Sequence, residues 1–261
     1  MRDDAQVCFV VRFHMRNEIK LTAAQGFEGQ HHTITGRNAY YLIKRIGDIV
    51  LAGSLLFFLL PLMALIAVLI YVYSPGPIFF VQDRVGAKRI HQGGASYWRQ
   101  ENFRCYKFRT MKVNVDSTIH QNYVRALIEN DYKQMSKIQG QDTSTRKLVN
   151  DPRIIRPGRL LRKFSLDELP QLWNVLRGDM SMIGPRPAIP YEVEIYKPWH
   201  LRRLEALPGI TGLQQVTARC IADFDEQVKL DIEYINNQSL WLDIKIAFKT
   251  PLAIISTKGA C

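Results

Sequence analysis

At 261 residues the chain is long enough for one substantial core and little more. Its net charge of +11, from 35 Lys and Arg against 24 Asp and Glu, favours an anionic partner, whether nucleic acid, membrane surface or phosphate-bearing substrate. The four cysteines (Cys8, Cys105, Cys220, Cys261) form no CxxC pair and no short spacing with histidine, which argues against structural zinc and a disulfide framework and for reduced thiols in a cytoplasmic setting.

Residues 1–38 show no lasting periodicity and read as a tail. His31-His32 is the sole histidine cluster and has no further ligand at a supporting spacing. A helix is expected to begin near Asn38 and run into Ile49–Tyr73, a stretch without a charge. As a helix that stretch is about 38 Å long, against about 30 Å for the hydrocarbon core of a bilayer. It starts too far into the chain, and runs too long, for a cleavable signal peptide. A single span is the simple reading. Two features favour a broken helix that enters and leaves on one face. Pro61 in mid-run removes a backbone donor and crowds the carbonyl of Phe57. Positive charge also flanks both ends, with Arg37, Lys44 and Arg45 before and Arg84, Lys88 and Arg89 after.

Ser74-Pro75-Gly76-Pro77 stops the helix. Two short strand-like runs follow, Ile78–Gln82 and Phe103–Phe108, with a Gly-rich polar stretch between them that suggests a hairpin with an irregular loop. Lys107, Arg109 and Lys112 lie on or near the second run, where a solvated strand face would explain them. Residues 116–138 suit a surface helix, and 139–150 a polar linker. Further helices are expected at 165–177, 189–206 and 224–237. The closing SLWLDIKIAFKTPLAII suits a membrane interface, with Trp241 and its lysines at headgroup level. Trp173 and Trp199 read as packing residues.

The densest signal is RPGRLLRKFSLDELPQLWNVLRGDMSMIGPRP, residues 156–187. Ser165 and Glu168 fit a capping box, with Leu166, Leu169, Leu172, Trp173 and Leu176 forming one apolar face. On local grounds Asp167 and Glu168 could simply decorate a helix N-terminus, where acids are favoured. Their neighbours point further: Arg156, Arg159, Arg162 and Lys163 precede the pair, and Gly184-Pro-Arg186-Pro follows the helix. Paired carboxylates among guanidinium groups suit phosphoryl transfer with a divalent cation. One carboxylate attacks phosphorus while cations offset the repulsion between two anions.

These stretches resemble the bacterial sugar transferases, the monotopic phosphoglycosyl transferases that begin lipid-linked glycan assembly. The resemblance runs through KRIGD (44–48), FRCYKFRTMK (103–112), NDPRIIRPGRLLRKFSLDELPQLWNVLRGDMSMIGPRP (150–187), LPGITGLQQV (207–216) and SLWLDIKI (239–246), in the family's order. It implies Asp167 as nucleophile and Glu168 as its partner in a ping-pong transfer. A phosphosugar passes from a UDP-sugar to the aspartate with loss of UMP, then to polyprenyl (usually undecaprenyl) phosphate. It implies Mg2+ near Asp167, and Arg109, Arg162, Arg186 and Arg219 as substrate-binding side chains. It also implies a re-entrant helix broken at Pro61. The chain departs from the family in having Leu60 before that proline and Ala218 before Arg219.

The expected architecture is an α-rich α+β fold, monotopic, at the cytoplasmic face of the bacterial inner membrane. Residues 1–38 form the tail, 39–76 the membrane-inserted re-entrant helix and 77–261 the catalytic domain, a core without the extra transmembrane helices of larger relatives. No nucleic-acid partner is expected, and a homodimer is left open. Two rival classes remain: a membrane-anchored, Mg2+-dependent phosphohydrolase with water as final acceptor, and a non-enzymatic basic membrane adaptor. The adaptor leaves the acid pair unexplained.

Overall fold

The computed structural model describes residues 37–92, 95–113, 118–139, 153–218 and 223–255. The expectations for residues 1–36, for the linker at 140–150 and for Arg219 lie outside the described residues. The chain divides into two compact units: the hairpin tip Ile90–Trp98 belongs to one, and Gly36–Arg89 with Arg99 onward to the other.

The long helix α1 covers Asn38–Tyr73, 36 residues. Its buried positions, Asp48, Ala52, Ile66 and Ile70, are joined by the partly buried Leu55, Leu56, Met63 and Ala67. Their spacing of three and four residues makes one stripe along the helix. The stripe continues on both sides of Pro61, and the helix runs through that proline instead of breaking there. Proline deletes one hydrogen bond, and both halves of the helix pack against the same domain. Away from the stripe, Phe57 and Phe58 are each 75% exposed, and Leu60, Leu65, Val68 and Val72 are exposed too. A continuous apolar face of this kind marks a surface for lipid or a partner.

Strands β1 (Phe79–Gln92) and β2 (Ala95–Phe108) pair as a two-stranded sheet. They are far longer than the two short runs expected, because the polar stretch between those runs is itself strand. Only Gly93 and Gly94 separate them in sequence. Within the tip, Ser96 Oγ and His91 Nδ1 are 2.8 Å apart.

The expected helix at 116–138 is two helices, α2 (Thr118–Ile128) and α3 (Tyr132–Gln139), parted at Asn130 with φ 57°. After α4 (Arg156–Lys163), a 3-10 turn (Leu166–Glu168) leads into α5 (Gln171–Arg177). The expected helix at 189–206 is likewise divided, into α6 (Pro190–Val193) and a 3-10 stretch Pro198–Leu204. Pro198 forces the break, since it lacks an N–H and drives Lys197 to an extended φ −66°, ψ 153°.

β3 (Ser181–Ile183) and β4 (Gly209–Thr211) pair in parallel, Ser181 opposite Gly209 and Ile183 opposite Thr211. The glycines of GPRP and PGITG make this contact: a Cβ on Gly209 would sit 2.1 Å from the Gly184 nitrogen. After α7 (Leu213–Thr217), α8 (Phe224–Asn236) and α9 (Leu240–Ile255) end the described chain, close to the bounds expected.

Three apolar clusters order these elements. Ala52 of α1 packs with Phe103, Cys105, Leu172, Val175 and Met180. Ile66 and Ile70 pack with Phe108, Ile155 and Leu161. Leu169, just after the 3-10 turn, packs against both clusters and so sits between the halves of α1. A third cluster joins Val124 and Ile128 of α2 to Phe224 and Val228 of α8. Polar anchors fix the start of α1. Arg45 donates to the carbonyls of Val175 (2.6 Å) and Leu176 (2.8 Å) at the end of α5, and Asp48 accepts the Met182 N–H at 3.0 Å. Buried Asp243 of α9 accepts from Tyr40 (2.9 Å), Lys44 (2.9 Å) and Tyr234 (2.7 Å). On α9, Trp241, Ile244, Phe248 and Leu252 form an exposed apolar stripe, and Lys245 lies over the Trp241 ring.

Candidate active site

The acid pair is positioned by what surrounds it in sequence. Ile155 is extended, its N–H bonded to the Thr110 carbonyl at 3.0 Å, and α4 starts there with Pro157 in its first turn. Gly158 is required: a Cβ would lie 2.4 Å from the Thr110 oxygen. At the far end of α4 the chain turns sharply, with Ser165 left-handed at φ 56°, ψ 22°.

Ser165 makes no side-chain cap, so the expected capping box does not form, and the expected helix 165–177 is split. Pro170 supplies the reason. It has no N–H to bond the Leu166 carbonyl, which instead accepts from Leu169 at 3.3 Å, the tighter 3-10 pattern. Helix α5 then starts at Gln171. Asp167 and Glu168 therefore sit on a short tight turn between two helices.

Asp167 is half-buried. Burial, and secondly the charge of Glu168, push its carboxyl up to about 6, against the opposing pull of Lys107 and Arg162. Lys107, near the end of β2, donates to Glu168 Oε1 at 2.7 Å, and both side chains are mostly buried. Arg162 is half-buried, with Nη1 lacking a hydrogen-bond partner.

Beside the pair lies a cleft whose walls include Arg84, Lys107, Glu168, Gln171, Arg186 and Gln215. Arg186 is exposed, in the loop after β3. The structure thus brings Glu168 and Arg186 together in one cleft and sets Arg162 near Asp167. Arg109 is elsewhere: its buried guanidinium donates to the carbonyls of Ser74 and Pro75 in the turn after α1. Trp173 is 53% exposed on α5 and packs into no cluster.

Sequence reasoning weighed Lys107 as a solvated strand residue, counted Arg84 only as a charge flanking the apolar run, and did not single out Gln215. Lys107 carried a signal, standing two residues before Arg109 in an otherwise aromatic and apolar run. Gln215 carried none, and neither did Arg84, whose link to the site runs through the Pro187 carbonyl 103 residues away.

A metal has few protein donors here. Among the described residues no group of three or more His, Cys, Asp or Glu side chains is placed to hold one. Mg2+, however, is commonly held by one or two carboxylates together with substrate phosphates and water, and this acid pair fits that donor set.

The pattern of the bacterial sugar transferase family matches residues 39–257. Over 219 residues, 84% of this chain and 88% of the relative, the sequence is 36% identical to the exopolysaccharide production protein ExoY of Rhizobium meliloti. It is 39% identical over 223 residues to the undecaprenyl-phosphate galactose phosphotransferase of Salmonella typhimurium, covering 84% of this chain but 41% of that protein. It is 36% identical over 232 residues to the UDP-glucose:undecaprenyl-phosphate glucose-1-phosphate transferase of Caulobacter vibrioides, 86% of this chain and 74% of the relative. The match takes in nearly all of α1, the acid-pair turn, the glycine contact of β3 with β4 and all of α9: the chain belongs to the bacterial sugar transferases.

Proposed function

We propose that the protein transfers a phosphosugar from a UDP-sugar to undecaprenyl or another polyprenyl phosphate, releasing UMP, at the start of exopolysaccharide or related glycan assembly. The observation that carries this reading is the Leu166–Glu168 turn, where the half-buried Asp167 carboxyl, raised to about 6, feels Lys107 and Arg162, and Glu168 lines a cleft with Arg84 and Arg186. Such a carboxylate is mostly ionised at neutral pH, is little solvated, and lies where phosphate groups are attracted.

The mechanism has two steps. A carboxylate oxygen of Asp167 bonds to the sugar-bearing phosphorus of the UDP-sugar, and UMP leaves. A phosphate oxygen of the lipid carrier then attacks the aspartyl phosphosugar and frees the carboxylate. Lys107 holds Glu168 charged and fixed beside the reacting group. Arg162 and Arg186 orient the phosphates. Asp167, with Glu168 close by, would hold Mg2+. When bound, the ion neutralises charge on the phosphoryl oxygens.

The lipid carrier calls for a membrane seat, and α1 offers one. Both of its ends are tied to the same domain, Arg45 to α5 and Ser74 to Arg109, so a crossing that separates those ends conflicts with these bonds. We read α1 as entering the cytoplasmic leaflet of the inner membrane from one face and leaving by it. Its exposed apolar face would lie in lipid, and Trp241 and Phe248 of α9 at the headgroups.

The test is UMP release by purified protein from a panel of UDP-sugars with Mg2+, with and without undecaprenyl phosphate. Sustained release that requires the lipid, from one sugar, is expected. Equal sustained turnover without lipid would replace the transferase with a hydrolase.

A further inference from the structure

Arg84 of β1 is buried, at 7% exposure, yet no carboxylate among the described residues stands within ion-pair distance of it. Its guanidinium donates from Nη1 to the Pro187 carbonyl and from Nη2 to Gln82 Oε1, each at 2.8 Å, and its Nε has no partner. Burying an uncompensated charge is costly, and a second cation, Arg186, lines the same cleft. Lys107 adds a third, against the single carboxylate of Glu168. This excess of positive charge, with an unpaired buried N–H on Arg84, fits an anion with several oxygens, as a phosphate has.

We infer that Arg84, with Lys107 and Arg186, forms one phosphate seat used twice in each cycle, first by the phosphate of departing UMP and then by that of the incoming lipid carrier. The inference rests on the two-step transfer proposed above. Both steps are in-line displacements at one phosphorus. In the first, an Asp167 oxygen bonds to that phosphorus as its bond to the bridging oxygen breaks, and the electron pair leaves with UMP. In the second, a lipid-phosphate oxygen bonds to the same phosphorus as its bond to Asp167 breaks, and the pair returns to the carboxylate. No proton is required for either balance. UMP departs opposite the Asp167 oxygen, and the lipid phosphate must arrive opposite that same oxygen, so both meet the same cations. Through Pro187, Arg84 also holds the backbone next to Arg186 and positions it for this role.

The test uses the full chain in detergent with UDP-sugar, UMP and undecaprenyl phosphate. UMP is expected to inhibit competitively against the lipid phosphate. In Arg84→Lys, Arg84→Gln and Arg186→Gln, the UMP inhibition constant and the lipid KM should rise in parallel, roughly tenfold for loss of a charged hydrogen bond. Thermal melting checks folding, and Arg186→Gln, at an exposed side chain, decides the matter should the buried Arg84 variants fail to fold. Non-competitive UMP, or two constants that move independently, would overturn the shared seat. Covalent labelling of the wild type by radiolabelled UDP-sugar separates the two ideas. Labelling with unlinked constants sinks the seat alone, whereas no labelling sinks the two-step transfer and the seat with it.

Discussion

Lys107 and Glu168 are 61 residues apart in sequence, and their Nζ and Oε1 atoms meet at 2.7 Å. This pair ties the end of β2 to the turn that carries Asp167. It also keeps a negative charge next to the Asp167 carboxyl, which is one reason that carboxyl stands at about 6 instead of its ordinary 3.8.

The electrostatics give a signed pH dependence. Asp167 attacks as the carboxylate, so covalent labelling should rise as pH climbs through about 6 and level off above about 7. Glu168→Gln removes a charge that raises the Asp167 pKa, and should move the midpoint down whatever the fall in rate. Arg162→Gln removes a charge that lowers it, and should move the midpoint up. Initial labelling rates from pH 5 to about 8 give both midpoints. Midpoints that stay fixed in both variants would show that Asp167 does not set the profile.

Stability should depend on Asp243 more than its place near the end of the chain suggests. It receives hydrogen bonds from Tyr40, Lys44 and Tyr234, and so joins α1, α8 and α9. Asp243→Ala strands a lysine and two hydroxyls, and should cost about 3–5 kcal/mol. Chemical unfolding in detergent reads this directly, and an unchanged midpoint would show that the network contributes nothing.

The seating of α1 predicts a labelling pattern. With Cys8, Cys220 and Cys261 replaced, single cysteines at Arg37 and at Lys112 should both react with an impermeant maleimide in inverted vesicles, and neither in intact cells. One reactive site on each side would mean that the helix crosses the membrane.

How much of this was legible in the sequence follows from the range of the interactions. The charge-free run marked α1. The dense motif located Asp167, Glu168 and Arg186. The local detail of that motif misled: Ser165 and Glu168 have capping-box spacing, but Pro170 denies the helix its next donor and leaves a 3-10 turn. Pro61 does not end the helix, whose stripe from Asp48 to Ile70 packs on both sides of it. The hairpin was read short because its polar residues conceal a strand that only pairing reveals. Arg84 and Lys107 were hidden because their partners, Pro187 and Glu168, lie far along the chain. Arg109, expected to bind phosphate, has its guanidinium bonded to the turn that ends α1.

The most direct measurement is the intact mass of the purified protein after exposure to its UDP-sugar with Mg2+ and no lipid acceptor. Wild type should gain one phosphosugar, mapped by peptide to Asp167 and discharged on adding undecaprenyl phosphate, whereas Asp167→Asn should gain nothing and release no UMP. Full lipid-dependent turnover by Asp167→Asn, or an adduct on any other residue, would contradict the mechanism.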